Sequence, residues 1–145
     1  MNRTEIQKKL SVVTSALLRE KGFISPVDVF LRFGHLGSKD YEAWRHGRVP
    51  YLEEVIKGSL GRISFIMTTL RRNSLHGGLK PNWTAYRTWG KRGGKELRFS
   101  KSGASHLEEA YATHFVNKQM MGRQNKTSES SQEPALSAAS LVRPG

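Results

Sequence analysis

Residues 83–100 read WTAYRTWGKRGGKELRFS, and the folding of this stretch decides how the rest of the chain is organised. It reads as two short strands joined by a basic, glycine-rich tip. Trp83, Tyr86 and Trp89 fall on the first arm, and Leu97 and Phe99 alternate on the second. Gly90, Gly93 and Gly94 give positive-φ freedom to a tip carrying Lys91, Arg92 and Lys95 and no acid. Packing does not hold a tip that has nothing apolar to bury. Its cations point instead to a polyanionic partner.

Side chains alternate along a strand, so the pairing register sets which residues share a face. If Trp89 faces Leu97, Arg87 faces Phe99 and both tryptophans join the apolar side, leaving a wing whose tip grips phosphates. If Trp89 faces Glu96, Tyr86 meets Phe99, and Trp83 and Trp89 turn outward with Arg87 and Arg98 as a stacking platform for unpaired bases. The second register sets Arg87 against Arg98, which costs a few tenths to about 1 kcal/mol without an intervening anion. The first is favoured.

The 145-residue chain has a net charge of +12, distributed unevenly. Residues 1–56 carry nine Lys/Arg and seven Asp/Glu, a balance of +2; residues 102–145 carry four of each. Residues 57–101 carry eleven basic side chains and one acid, Glu96, a balance of +10. Cations gathered in this way repel one another unless an anion screens them, so the concentration suggests a binding field more than a solubility device. There is no cysteine, which excludes disulfides and thiolate metal sites. No run approaches the ~18 apolar residues of a membrane span, and the N-terminus lacks a signal-peptide core. A soluble cytoplasmic protein with no membrane contact is expected.

Upstream of the hairpin the periodicity is helical. Thr4 and Gln7 have capping-box spacing, Ile6, Leu10, Val13 and Leu17 recur on one face, and Gly22 stops a helix of about 5–21. Ser25 and Pro26 start a second helix that ends at Gly34, and Ser38 caps a third that closes at Gly47. This short pair has helix-turn-helix dimensions. A long run from 51 to 75 then places Leu52, Ile56, Ile63, Ile66 and Leu70 on one side. Gly58 and Gly61 invite a kink there, or close packing by the hairpin beside Phe65. After the hairpin, Ser105 and Glu108 predict a capped closing helix to about 120. Residues 122–145, rich in Ser, Gln, Glu and Pro and without an aromatic, read as a disordered tail.

Catalytic constellations are sparse. Five histidines show neither HExxH nor paired metal-ligand spacing, and GKRGGK (90–95) lacks the spacing of a phosphate-binding Walker loop. A one-metal nuclease would draw on Asp40 or Glu54 with His46, with no diagnostic spacing behind it. No enzyme, metal or cofactor is expected.

The segments SPVDVF, DYEAWRHGRVPYLEEV, LKPNWTAYRTWG, RFSKSG and LEEAYATHF lie within residues 25–115. This run resembles small hypothetical bacterial proteins of one uncharacterised family. The resemblance implies a bacterial, stand-alone, cytosolic protein and carries over no activity or site residue.

The expected fold is therefore α+β and mostly helical, with helices followed by a basic β-hairpin (83–100) and a closing helix. It forms one globular domain over 1–121 and is winged-helix-like by analogy. The expected partner is DNA or RNA, held through phosphates by Lys91, Arg92 and Lys95 at the tip. Arg87, Arg98 and Lys101 on the arms and Arg71, Arg72 and Lys80 before them extend the strip. Trp83 and Trp89 stack or pack according to register. The competing partner is an acidic protein docked on the same cations. Nothing in the sequence sets an oligomeric state.

Overall fold

The computed structural model describes residues 2–90 and 94–117. The expected tail, 122–145, and the tip residues Lys91 and Arg92 lie outside them. The described residues form an α+β, mostly helical fold: five helices and a small antiparallel sheet of three strands.

Helix α1 (Arg3–Lys21) is capped two residues earlier than expected, by Asn2 instead of Thr4. Asn2 accepts from Glu5 N at 2.8 Å while Glu5 Oε1 accepts from Asn2 N at 2.9 Å, a complete capping box. Gly22 ends it as expected, and the two-residue strand β1 (Phe23–Ile24) follows. Ser25 caps α2 (Pro26–Phe33), with its hydroxyl accepting from Asp28 N at 3.1 Å. Helix α3 (Ser38–Arg45) is capped by Gly37 instead of Ser38.

The long run expected over 51–75 is broken. Leu52–Glu54 form a 3-10 turn, and α4 (Leu60–His76) starts only after Ser59, whose hydroxyl accepts from Arg62 N at 3.1 Å. Gly58 explains the break: its φ of +117° is open to glycine and denied to most side chains. A Cβ there would also lie 3.0 Å from the His35 ring. The hairpin does not press on these glycines. Gly61 faces open space, and Phe65 carries the Arg3 guanidinium at 4.7 Å.

Strand β2 (Lys80–Trp83) leads out of α4, and α5 (Ser105–Ala112) leads directly into β3 (Thr113–Val116). The closing helix is thus shorter than expected because Thr-His-Phe-Val prefers the pleated surface, where β-branched and aromatic side chains pack well. β3 is central, with β1 on one side (Phe23 opposite Val116) and β2 on the other (Trp83 opposite Thr113). Pro81 is tolerated because β2 is an edge strand.

The core gathers one face of every helix: Leu10 and Leu17 from α1, Phe30 from α2, Trp44 from α3, Ile66 from α4 and Tyr111 from α5. Trp44, fully buried, packs on Tyr86 (5.7 Å between rings) and Phe99 (5.2 Å). The hairpin arms are therefore attached to the helical core through their aromatic residues.

Candidate functional site

The hairpin adopts neither register expected from alternation. Its arms meet, among the described residues, at a single bridge in which Arg87 stands opposite Glu96. Thr88 N donates to Lys95 O (2.9 Å) and Leu97 N to Tyr86 O (2.7 Å) on either side of it. This pairing sets Arg87 against the only acid of the stretch instead of against Phe99 or Arg98. Beyond it the arms separate because each has another partner. Thr84 N donates to Ala112 O, while the carbonyls of Arg98 and Phe99 accept from Leu52 N (3.1 Å) and Glu53 N (2.9 Å) in the 3-10 turn. Trp44 Nε1 also donates to Arg98 O at 2.8 Å.

Carboxylates complete this attachment. Glu108, expected as a helix cap, accepts from Phe99 N (3.0 Å), Ser100 N (2.7 Å) and Ser100 Oγ (2.6 Å). Glu53 accepts from Lys101 N (2.9 Å) and from the Tyr111 hydroxyl (2.8 Å). Burial, with Glu53 close by, pushes the Tyr111 hydroxyl well above its ordinary range. Both acids are taken up by backbone and hydroxyl donors, and neither forms an ion pair among the described residues.

The hairpin root is also joined to the end of α3. Trp89 N donates to Arg45 O at 2.8 Å, and the half-buried Trp89 ring meets Tyr41 (5.7 Å) and His46 (5.6 Å) edge to face. Arg45, only 9 % exposed, lies 4.9 Å over the Trp89 ring and 5.1 Å over the Tyr86 ring. Its Nε has no hydrogen-bond partner. Gly47 closes α3 with φ +77°, and a Cβ there would touch Thr88 Cγ2 at 3.4 Å. Burial pushes the Tyr41 hydroxyl up to about 12 against the opposing pull of Arg45, and burial raises Tyr86 further. Both phenols are neutral at physiological pH, unsuited to act as bases or nucleophiles.

The expected cations divide accordingly. Arg87 and Lys95 are exposed at the root, Arg87 donating across it to Gly94 O at 3.0 Å. His46 and Arg48, exposed on the turn that follows α3, join this root although the sequence reading left them out of the strip. The signal was present in Arg45-His46-Gly47-Arg48, three basic side chains in four residues at a helix end. Arg98 is exposed and folds back on the turn that follows it: it donates to the carbonyls of Ser100 (2.9 Å) and Lys101 and lies 5.8 Å over Tyr51. Lys101 is exposed. Arg71, Arg72 and Lys80 are exposed at the end of α4 and the start of β2. Lys80 and Trp83 occupy opposite ends of β2, about 10 Å apart at the rise of a strand. Among the described residues none of these cations forms an ion pair; the two ion pairs are Lys21–Asp28 (3.0 Å) and Arg32–Glu20 (2.6 Å).

Trp83 departs furthest from expectation. It is 56 % exposed and borders a groove of about 390 Å³ with Ala85, Leu97 and Phe99, rimmed by Glu96, Glu108 and Glu109. Its surroundings are acidic.

No protein-family model, curated protein or solved structure matches the chain. No group of three or more His, Asp or Glu side chains positioned to hold a metal ion occurs among the described residues, and Asp40, His46 and Glu54 do not form one. No helix among them is long and apolar enough to cross a membrane.

Proposed function

We propose that the protein binds nucleic acid, mainly through its phosphates, on the surface where the hairpin root meets the end of α3. The observation that carries this reading is the junction itself. Trp89 N on Arg45 O, with Arg45 stacked on the Trp89 ring, ties two stretches forty-four residues apart in sequence. Arg48, beside the His46 imidazole, thereby shares a root with Arg87 and Lys95, and none of these three cations is neutralised by an ion pair among the described residues. Lys91 and Arg92 continue the same segment in sequence. Cations on two connected elements, with Glu96 the one acid opposite them in the hairpin, favour an extended polyanion over a single small anion. Base readout is slight in this scheme, because phosphate contacts position a duplex or strand without specifying sequence.

The test is a salt-dependent titration of labelled DNA and RNA with the full chain. Each cation that contacts a phosphate contributes close to one unit to the slope of log K against log salt. Replacing Lys91, Arg92 and Lys95 by Ala, and separately His46 and Arg48, is expected to lower both affinity and slope while the far-ultraviolet dichroism stays native. An unchanged affinity and slope in both variants refutes the assignment. Tight 1:1 binding to an acidic protein, with nucleic-acid binding lost by about 0.2 M salt, transfers the same cations to a protein partner.

A further inference from the structure

We infer that the polyanion is a duplex gripped along its backbone, not a single strand whose bases stack; this rests on the reading above. Single-strand binders combine a basic groove with aromatic faces left open for successive bases. Here the aromatic faces near the cations are taken. Trp89 carries the Arg45 guanidinium at 4.9 Å and has Tyr41 and His46 set edge to face against it. Tyr51 carries Arg98 at 5.8 Å, and Tyr86 is buried.

Trp83 is the only aromatic among the exposed large apolar side chains of the described residues. A base stacked on it would bring its own phosphate toward Glu96, Glu108 and Glu109 on the rim of the same groove. Like charges there oppose the contact. The open aromatic thus lies among acids, and the aromatics among cations are covered.

The cations themselves suit a rigid ligand. The backbone that carries Arg48 is held by the end of α3 and its contact with Thr88 and Trp89, and Arg71 and Arg72 are adjacent on the last turns of α4. Cations carried on helix ends match the regular phosphate spacing of a double helix, which also carries the higher charge density.

The experiment compares one oligonucleotide as a non-pairing single strand and as its duplex, in DNA and in RNA form, by anisotropy with the full chain at a common salt concentration. At least about fivefold tighter binding of either duplex than of its own single strand is expected. A smaller ratio for both nucleic acids overturns the inference and leaves the phosphate reading standing. No binding of any form at low salt overturns that reading as well. Trp83→Ala, at an exposed edge-strand position, is expected to leave single-strand and duplex affinities within about twofold. A selective loss of single-strand binding in that variant overturns the inference.

Discussion

His114 should make the fold sensitive to acid well above the carboxylate range. It lies in the central strand β3, its ring stacked on Phe23 at 4.8 Å and its Nε2 2.9 Å from the Tyr86 hydroxyl. Burial depresses its pKa from 6.5 to about 4; Asp28 opposes the shift and Lys21 assists it. The native imidazole is therefore neutral where the unfolded one is charged. Because the unfolded chain binds the extra proton, stability is greatest above about pH 6.5 and falls as the pH drops toward 4. Linkage between these two values removes about 2 kcal/mol between about pH 6.5 and about pH 4.5, an upper figure because the ring is only partly buried. Urea unfolding at a series of pH values measures it, with His114→Gln as the comparison. His35, also depressed chiefly by burial and then by Arg62, adds a slope of the same sign to both proteins, so the difference between them isolates His114. Glu20 is held below its ordinary value by Arg32, and its contribution is lost only below about pH 4.5, outside the window. A wild-type curve flat across this window, or an unchanged slope in His114→Gln, refutes the argument.

Two further outcomes follow from the same contacts. Glu108→Gln replaces one of two accepting oxygens by a donor facing the Phe99 or Ser100 amide, and should destabilise the fold by about 2 kcal/mol, with faster hydrogen exchange at those amides. Gly47→Ala meets both a left-handed backbone and Thr88, so a loss of about 1–2 kcal/mol is expected in thermal melts; if the α3–hairpin junction forms the binding surface, nucleic-acid affinity drops although no charge has changed.

Much of the helical part of the fold was legible in sequence because its signals are local. Ser25-Pro26 and Gly34 bound α2, and Gly22 ends α1, each through a cap contained within a few residues. The sheet left no comparable trace. β1 is two residues long and pairs with a strand more than ninety positions later. β3 continues a helix without a turn, so periodicity assigned it to α5. The register of the hairpin was misread for a related reason. Alternation weighs only the two arms against each other, whereas the second arm is shared with the 3-10 turn at Leu52–Glu53 and the first with Ala112.

The candidate surface was half legible, and its missing half shows how such surfaces arise. Counting charges singled out residues 57–101, yet a net charge does not say whether nearby acids quench it. Glu53 and Glu108 lie against the backbone beside Arg98 and Lys101, and neither forms an ion pair with them. Instead Glu53 takes the backbone N–H of Lys101 and the Tyr111 hydroxyl, while Glu108 takes the Phe99 and Ser100 amides. Arg98, exposed, donates to the carbonyls of Ser100 and Lys101 and keeps its charge. The acids are thus committed to fixing the hairpin, and one counted cation is committed with them. The remaining exposed cations are left without carboxylate partners among the described residues, joined by His46 and Arg48 through a contact between α3 and Trp89 that no local pattern encodes. Glu53 and Glu108 therefore set both the attachment of the hairpin and the negative charge beside its cations, which couples the stability of this surface to its charge.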